Sequence, residues 1–283
     1  MLSEFKNNSS YKRLSCKPKN VLESLIQVRH NLELIKAFVR RDIKIRYAQT
    51  SLGLIWLFAQ PLAYLFGMFF VFNTSFESRI NNLPYSLFVA TGLMIWTYVS
   101  FTTTQTGSSL LGSLEILRKT YFPRIIIPIA KSILGLIDLS VICFFTFVLL
   151  MYHQVSISIN ILALPLILFF TTIVSMGIGT LVSILIVRFR DLQHIIPFSM
   201  QLGLFISPVI YPSTVVTNDL PGYLQYVYYL NPVSGLIDAV RWSILGLKVN
   251  IMGVVISCAA GLIILSISML LFNRIERDLS DKL

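Results

Sequence analysis

Five stretches of the chain, 47–76, 80–114, 139–187, 192–218 and 249–273, hold no Asp, Glu, Lys or Arg. A helix needs about 20 apolar residues to cross a bilayer core. The 139–187 stretch is too long for one crossing. It breaks at His153-Gln154 and again in the Ser/Asn-rich segment 156–160. The pattern therefore predicts six spans, at about 51–73, 84–105, 125–151, 158–187, 195–215 and 250–272. Backbone groups in lipid must pair internally, and these runs are too long and unbroken for barrel strands, so the spans are helices. The first apolar run begins too late for a cleaved signal peptide.

Helical periodicity starts earlier, from about residue 21. Leu32, Ile35, Val39 and Ile43 recur at spacings of three and four, with Arg40, Arg41, Lys44 and Arg46 beside them. This reads as an interfacial helix with its apolar face in lipid and its cations at the headgroups. The alternative is an arm folded on itself; a span beginning within a few residues favours the interface.

The segment 216–249 resembles a seventh span by composition. Asn231-Pro232 interrupts it, Asp238 and Arg241 charge its second half, and a seventh crossing would move the tail to the far side. Two short re-entrant helices on the outer side fit better, because broken backbone at membrane depth survives only against protein or a wet cavity. Asp238 and Arg241 can pair at i, i+3. Tyr223, Tyr226, Tyr228 and Tyr229 suit an interfacial level.

Composition agrees. Of 283 residues, 55% are hydrophobic and 13% charged, about half the charge of a soluble domain. Of 23 Lys and Arg residues, nineteen fall before the first span, between spans two and three, between spans four and five, or in the tail. The positive-inside rule then places both termini in the cytoplasm. The net charge of +10 is mostly this bias. Nucleic-acid binding is excluded, since no soluble basic domain is available for it. Cys16, Cys143 and Cys258 lie too far apart for a disulfide framework or a metal spacing. The organisation expected is a cytoplasmic segment 1–47, a six-helix transmembrane domain 48–273 and a cytoplasmic tail 274–283.

Catalytic constellations are missing from the sequence. It has no P-loop, no H-E-x-x-H and no G-x-S-x-G. Asp138 is the ionisable group deepest in a span. Such acids invite a functional reading, but a proton relay needs a chain of them, and a structural acid bonded to a neighbouring helix is the plainer account. Gln60 in span one, with Trp56 and Tyr64 four residues to either side, and Phe198, Gln201 and Phe205 in span five set amides and aromatics on common faces. Span two ends in FTTTQTGSS. Such faces line a path for sugars or serve ordinary interhelical packing. Ser175, Gly179 and Ser183, and Gly253, Ser257 and Gly261, recur every four residues and permit close helix approach, within the monomer or at a dimer seam. Between spans two and three, SLEILRKTYFPRIIIP reads as a short amphipathic helix capped by Ser113 and stopped by Pro123, suited to a partner's groove.

The stretches VRRDIKIRYAQTSLGLIWLFAQP, LRKTYFPRIIIP, VRFRDLQHIIP, FISPVIYP and YLNPVSGLIDAVRW, in this order, give the chain a further character. It resembles the permease subunits of type-2 ATP-binding-cassette exporters for bacterial cell-surface polysaccharides: O-antigen, capsule and teichoic acid. The resemblance covers nearly all of the span region.

It implies a homodimer in the inner membrane, two separate ATPase subunits that bind ATP and Mg, and a lipid-linked polysaccharide as cargo. The chain itself would bind no cofactor and catalyse no reaction. The resemblance further implies an interface helix at about 31–47 carrying Arg40, Arg41, Lys44 and Arg46. A coupling helix at about 113–122 would carry Leu114, Glu115, Leu117, Arg118, Lys119 and Tyr121. Exit-gate helices at about 218–246 would include Tyr228, Tyr229, Asn231, Pro232, Asp238 and Arg241. A channel would be lined by spans one and five through Trp56, Gln60, Tyr64, Phe198, Gln201 and Phe205. Two other classes stand beside it. A membrane-embedded transferase acting on lipid-linked sugar has only Asp191 and His194 as candidate groups in one place. A proton-coupled transporter has only Asp138.

Overall fold

A computed structural model describes residues 31–47, 55–76, 83–113, 115–116, 122–217 and 220–281. Every regular element among them is helical. In chain order these are α1 (Leu32–Tyr47), α2 (Ile55–Phe76), α3 (Tyr85–Gly112), α4 (Ile126–Tyr152), a 3-10 turn (Ile159–Ala163), α5 (Leu164–Arg188), α6 (Leu192–Ile206), α7 (Thr214–Thr217), α8 (Gly222–Tyr228), α9 (Pro232–Leu245) and α10 (Ile251–Asp281).

α2, α3, α4, the turn with α5, and α10 are long and apolar enough to cross a membrane. The fifth expected span, 195–215, is shorter than read. α6 has 15 residues, about 22 Å at 1.5 Å per residue against a core of about 30 Å. Its end has a local cause. Ser207 precedes Pro208 and takes an extended conformation, φ −83° and ψ 151°, because proline disfavours a helical residue before it. Two helices are longer than read. α3 continues past 105 to Gly112, and α10 past 272 to Asp281.

α3 is the hub. It packs against α2, α4, α5, α6 and α9, and most of it is buried, whereas most of α2 is not. Leu87, Phe88, Leu93, Ile95 and Tyr98 sit in one core with Ile142, Val174, Val209, Ile237 and Val240. Helical hydroxyls turn back on their own backbone. Thr97 donates to the Leu93 carbonyl, Thr146 to that of Ile142 and Thr171 to that of Ile167, which satisfies them without water.

The small-residue stripes pack inside this chain. A Cβ on Gly179 would lie 2.8 Å from Thr106 of α3, and one on Gly253 would lie 2.6 Å from the Tyr229 ring. Ser257 of α10 accepts from the Gly235 amide of α9 and donates to the Tyr229 carbonyl.

Part of the apolar face of α1 lies on protein, while Leu32 at its start stays 51% exposed. Ile35 and Phe38 are buried with Phe122, Ile126, Ile127 and Ala130 at the start of α4, and Ile116 packs at the edge. Burying each of the Ile and Phe side chains among them contributes about 1.5–3 kcal/mol. Phe38 and Phe122 rings are 5.5 Å apart. Two ion pairs join the same helices: Lys131 to Asp42 and Arg46 to Asp138, each at 2.8 Å.

Candidate functional site: a polar and aromatic cavity

α2, α3 and α6 line a half-open cavity of about 490 Å³, whose wall also includes Arg46 of α1 and Asp138 of α4. Its lining follows from helix periodicity. Gln60, Tyr64 and Met68 of α2 are spaced by four, as are Trp96, Ser100 and Thr104 of α3, and each set shares one face. α6 adds Gln201 and Phe205. Pro61 within α2 removes one backbone donor and lies on the cavity wall. α6 comes close to α3 because residue 203 is glycine; a Cβ there would sit 2.7 Å from the Trp96 ring.

Four residues expected along a channel, Gln60, Tyr64, Gln201 and Phe205, therefore meet in one space. Trp56 and Phe198 lie outside its lining, 52% and 60% exposed. Span two supplies a wall that the reading assigned only to spans one and five: Trp96, Thr97, Ser100, Phe101, Thr104 and Gln105. The polar run at 101–109 carried part of that signal.

Among the described lining residues the charged ones are Arg46 and Asp138. Arg46 donates to the Asp138 carboxylate at 2.8 Å, and its guanidinium lies 4.5 Å from the centre of the Phe101 ring. The expectation of four cations at the headgroups is corrected for Arg46, which turns inward because an unpaired acid in α4 would be costly. Lys44 and Arg40 are exposed, and Arg41 donates to Asp42.

The residues expected at a gate form a second cluster. Asn231 caps α9 by accepting from the Val233 amide, and its own amide donates to Ser207. Pro232 occupies the first turn, where its missing N–H costs nothing. Gly246, at φ 68°, ends the helix in the left-handed conformation that favours glycine. Tyr229 donates to Asp238 at 3.0 Å. Arg241 lies 3.9 Å from Asp238, donates to the Val209 carbonyl at 2.8 Å and stacks 3.5 Å from the centre of the Phe88 ring.

Of the four tyrosines assigned to an interface, Tyr223 and Tyr226 are exposed, Tyr228 is half-buried and Tyr229 is buried. The last is therefore a core residue, set against α10. At the loop between α3 and α4, Glu115 is exposed. Leu114, Leu117, Arg118, Lys119 and Tyr121 lie outside the described residues. Asp191 and His194 are exposed at the start of α6.

Comparison with known proteins supplies the frame for this geometry. The chain is similar to the O-antigen export system permease protein RfbA of Klebsiella pneumoniae, 26% identical over 259 residues, covering 89% of this chain and 96% of that one. Similarity to the protein of the same description from Myxococcus xanthus is 25% over 206 residues, 73% of this chain and 78% of the relative. The polysialic acid transport protein KpsM of Escherichia coli is 22% identical over 219 residues, 75% and 81% of the two chains. The family model described as ABC-2 type transporter matches residues 33–245, from α1 through α9. A match over that length places this multi-pass chain in the ABC-2 type transporter family.

Proposed function

We propose that this chain is the inner-membrane permease subunit of an ATP-driven exporter and that it moves a lipid-linked polysaccharide outward. The observation that carries the reading is the cavity of amides, hydroxyls and aromatic rings between α2, α3 and α6. Rings stack on pyranose faces, and amides bond sugar hydroxyls. The relatives named for O-antigen and polysialic acid support the same class.

In this reading α6, extended by 207–217, is the fifth of six crossings, and both termini are cytoplasmic. α1 and the α3–α4 loop then face the ATPase together, as their shared apolar cluster suggests. Residues 1–47, 48–273 and 274–283 are the cytoplasmic segment, permease domain and tail. Two copies enclose the passage. Two ATPase subunits bind ATP and Mg and drive it through residues 113–122, with Glu115 and Arg118 in contact. α8 and α9 are the re-entrant pair at the exit. A proton-coupled mechanism is disfavoured by the engagement of Asp138 with Arg46.

Deleting the gene in its host tests the proposal. Lipid-linked glycan should accumulate inside the cell, and the intact chain supplied with its ATPase should clear it. Export by the purified permease alone would overturn the reading.

A further inference from the structure

Burial along α6 and the segment after it is one-sided. No residue from Leu192 to Gly203 is buried, whereas Ser207, Pro208, Val209 and Ile210 all are. The buried segment is held from two directions. Arg241 of α9 donates to the Val209 carbonyl at 2.8 Å, and Asn231, which caps α9, donates to Ser207 Oγ at 2.9 Å. From α3, Tyr85 donates to the Ile210 carbonyl at 3.0 Å, and Gly92 lies so close that a Cβ there would sit 2.8 Å from the Val209 carbonyl oxygen. A buried hydrogen bond of this kind is costly to break, because it leaves a desolvated polar group unmatched. Toward Leu192 the helix turns on itself instead. Ser199 donates to the Ile195 carbonyl, and Pro197 removes one backbone hydrogen bond.

On the proposed reading of the cavity as a glycan passage, we infer that Tyr85, Asn231 and Arg241 are positioning residues that pin the exit-side end of α6, and that the helix swings about this pin to move the glycan-facing wall. Displacement grows with distance from a pivot. At 1.5 Å per residue, Phe205 lies about 3 Å from Ser207, Gln201 about 9 Å and Leu192 about 22 Å. Gln201 and Phe205 both line the cavity. A tilt that barely moves Phe205 therefore carries Gln201 along the wall and moves the Leu192 end furthest. Burial orders the segments in the same way, since local motions are drawn from those with the fewest buried contacts. The pin also decides what the motion does. With one end held, a push at the cytoplasmic end becomes a rotation that reshapes the passage; with neither end held, α6 would shift as a body and the push would do no gating.

Hydrogen–deuterium exchange is followed on the exporter, permease with its ATPase, in lipid nanodiscs, with and without a non-hydrolysable ATP analogue. In the wild type, exchange in 192–203 should change with nucleotide several-fold more than exchange in 207–211. The pin is then loosened by Tyr85→Phe with Asn231→Asp. The first removes a hydroxyl and keeps the ring. The second removes the donor to Ser207 and keeps an oxygen to accept from the Val233 amide. In this double variant 207–211 should respond to nucleotide as well. The ATP hydrolysed per glycan moved in proteoliposomes should rise several-fold, the glycan being the lipid-linked material extracted from the deletion strain. Loss of folded protein lowers both rates together and leaves that ratio unchanged, so a merely structural role does not imitate the effect. Should the double variant not fold, Asn231→Asp alone carries the same test. Equal or absent responses of the two segments in the wild type, or an unchanged ratio in the variant, overturn the pivot. A wild type whose segments respond as expected but which moves no glycan while its ATPase turns over overturns the exporter reading and leaves the pivot standing.

Discussion

Arg241 shows how much a single residue depends on partners far away in the chain. It is 2% exposed, and its neighbours are a carboxylate three residues back, a carbonyl 32 residues back and a ring 153 residues back. The first was readable from i, i+3 spacing; the others needed the fold, since nothing local in Val209 or Phe88 announces a guanidinium. Truncating one member of such a set leaves the others desolvated and unmatched. Arg241→Ala is expected to destabilise by about 3–5 kcal/mol, measured as a fall in the unfolding midpoint of the detergent-solubilised protein. Asp238→Asn combined with Arg241→Met should cost less than the sum of the single changes, because the pair is removed together. Additive effects would show that the two side chains act independently. Asp138 was legible as a suspect acid. Its partner was not, because Arg46 lies on a different element and reads, by pattern, as a headgroup cation.

At the scale of elements, charge-free runs located the long helices because desolvation acts on every residue of a span at once. Their ends were less legible. α3 and α10 outlast the predicted spans, since helix continues beyond the lipid core wherever capping and packing permit. α6 stops at Ser207 on a proline rule that the sequence also carried. Lipid and protein cover the same apolar stripe equally well, so the pattern of α1 could not say which one does. Packing between α9 and α10 depends on missing side chains. Gly253→Leu would force a branched group into the Tyr229 ring, which a Cβ alone approaches to 2.6 Å. The expected cost is about 1–3 kcal/mol, visible as a lower unfolding temperature, whereas Gly222→Ala, with open space around it, should change little. In the α3–α4 loop, Glu115→Ala and Arg118→Ala are predicted to abolish the permease's stimulation of ATP hydrolysis and lower export. Helix content and unfolding temperature should stay at wild-type values. Unchanged stimulation would remove that loop from the coupling path.

For the whole molecule, the absence of a P-loop in the sequence and the membership in a transporter family together predict a division of labour. Purified permease should show no nucleotide hydrolysis, and co-purification with the ATPase should depend on the face that α1 shares with the α3–α4 loop. Loss of that complex on deleting residues 31–47, with the remaining chain still inserted in the membrane, is the expected result. The two halves of this face are joined differently from the rest of the fold. α1 is fixed to α4 by two ion pairs and an apolar cluster. α2, which follows it in the chain, has Leu65 as its one buried apolar side chain among the described residues. On the proposed function, a push applied to the arm is expected to reach α4 as if through a welded bracket, and the cavity wall that α2 forms is the panel expected to swing.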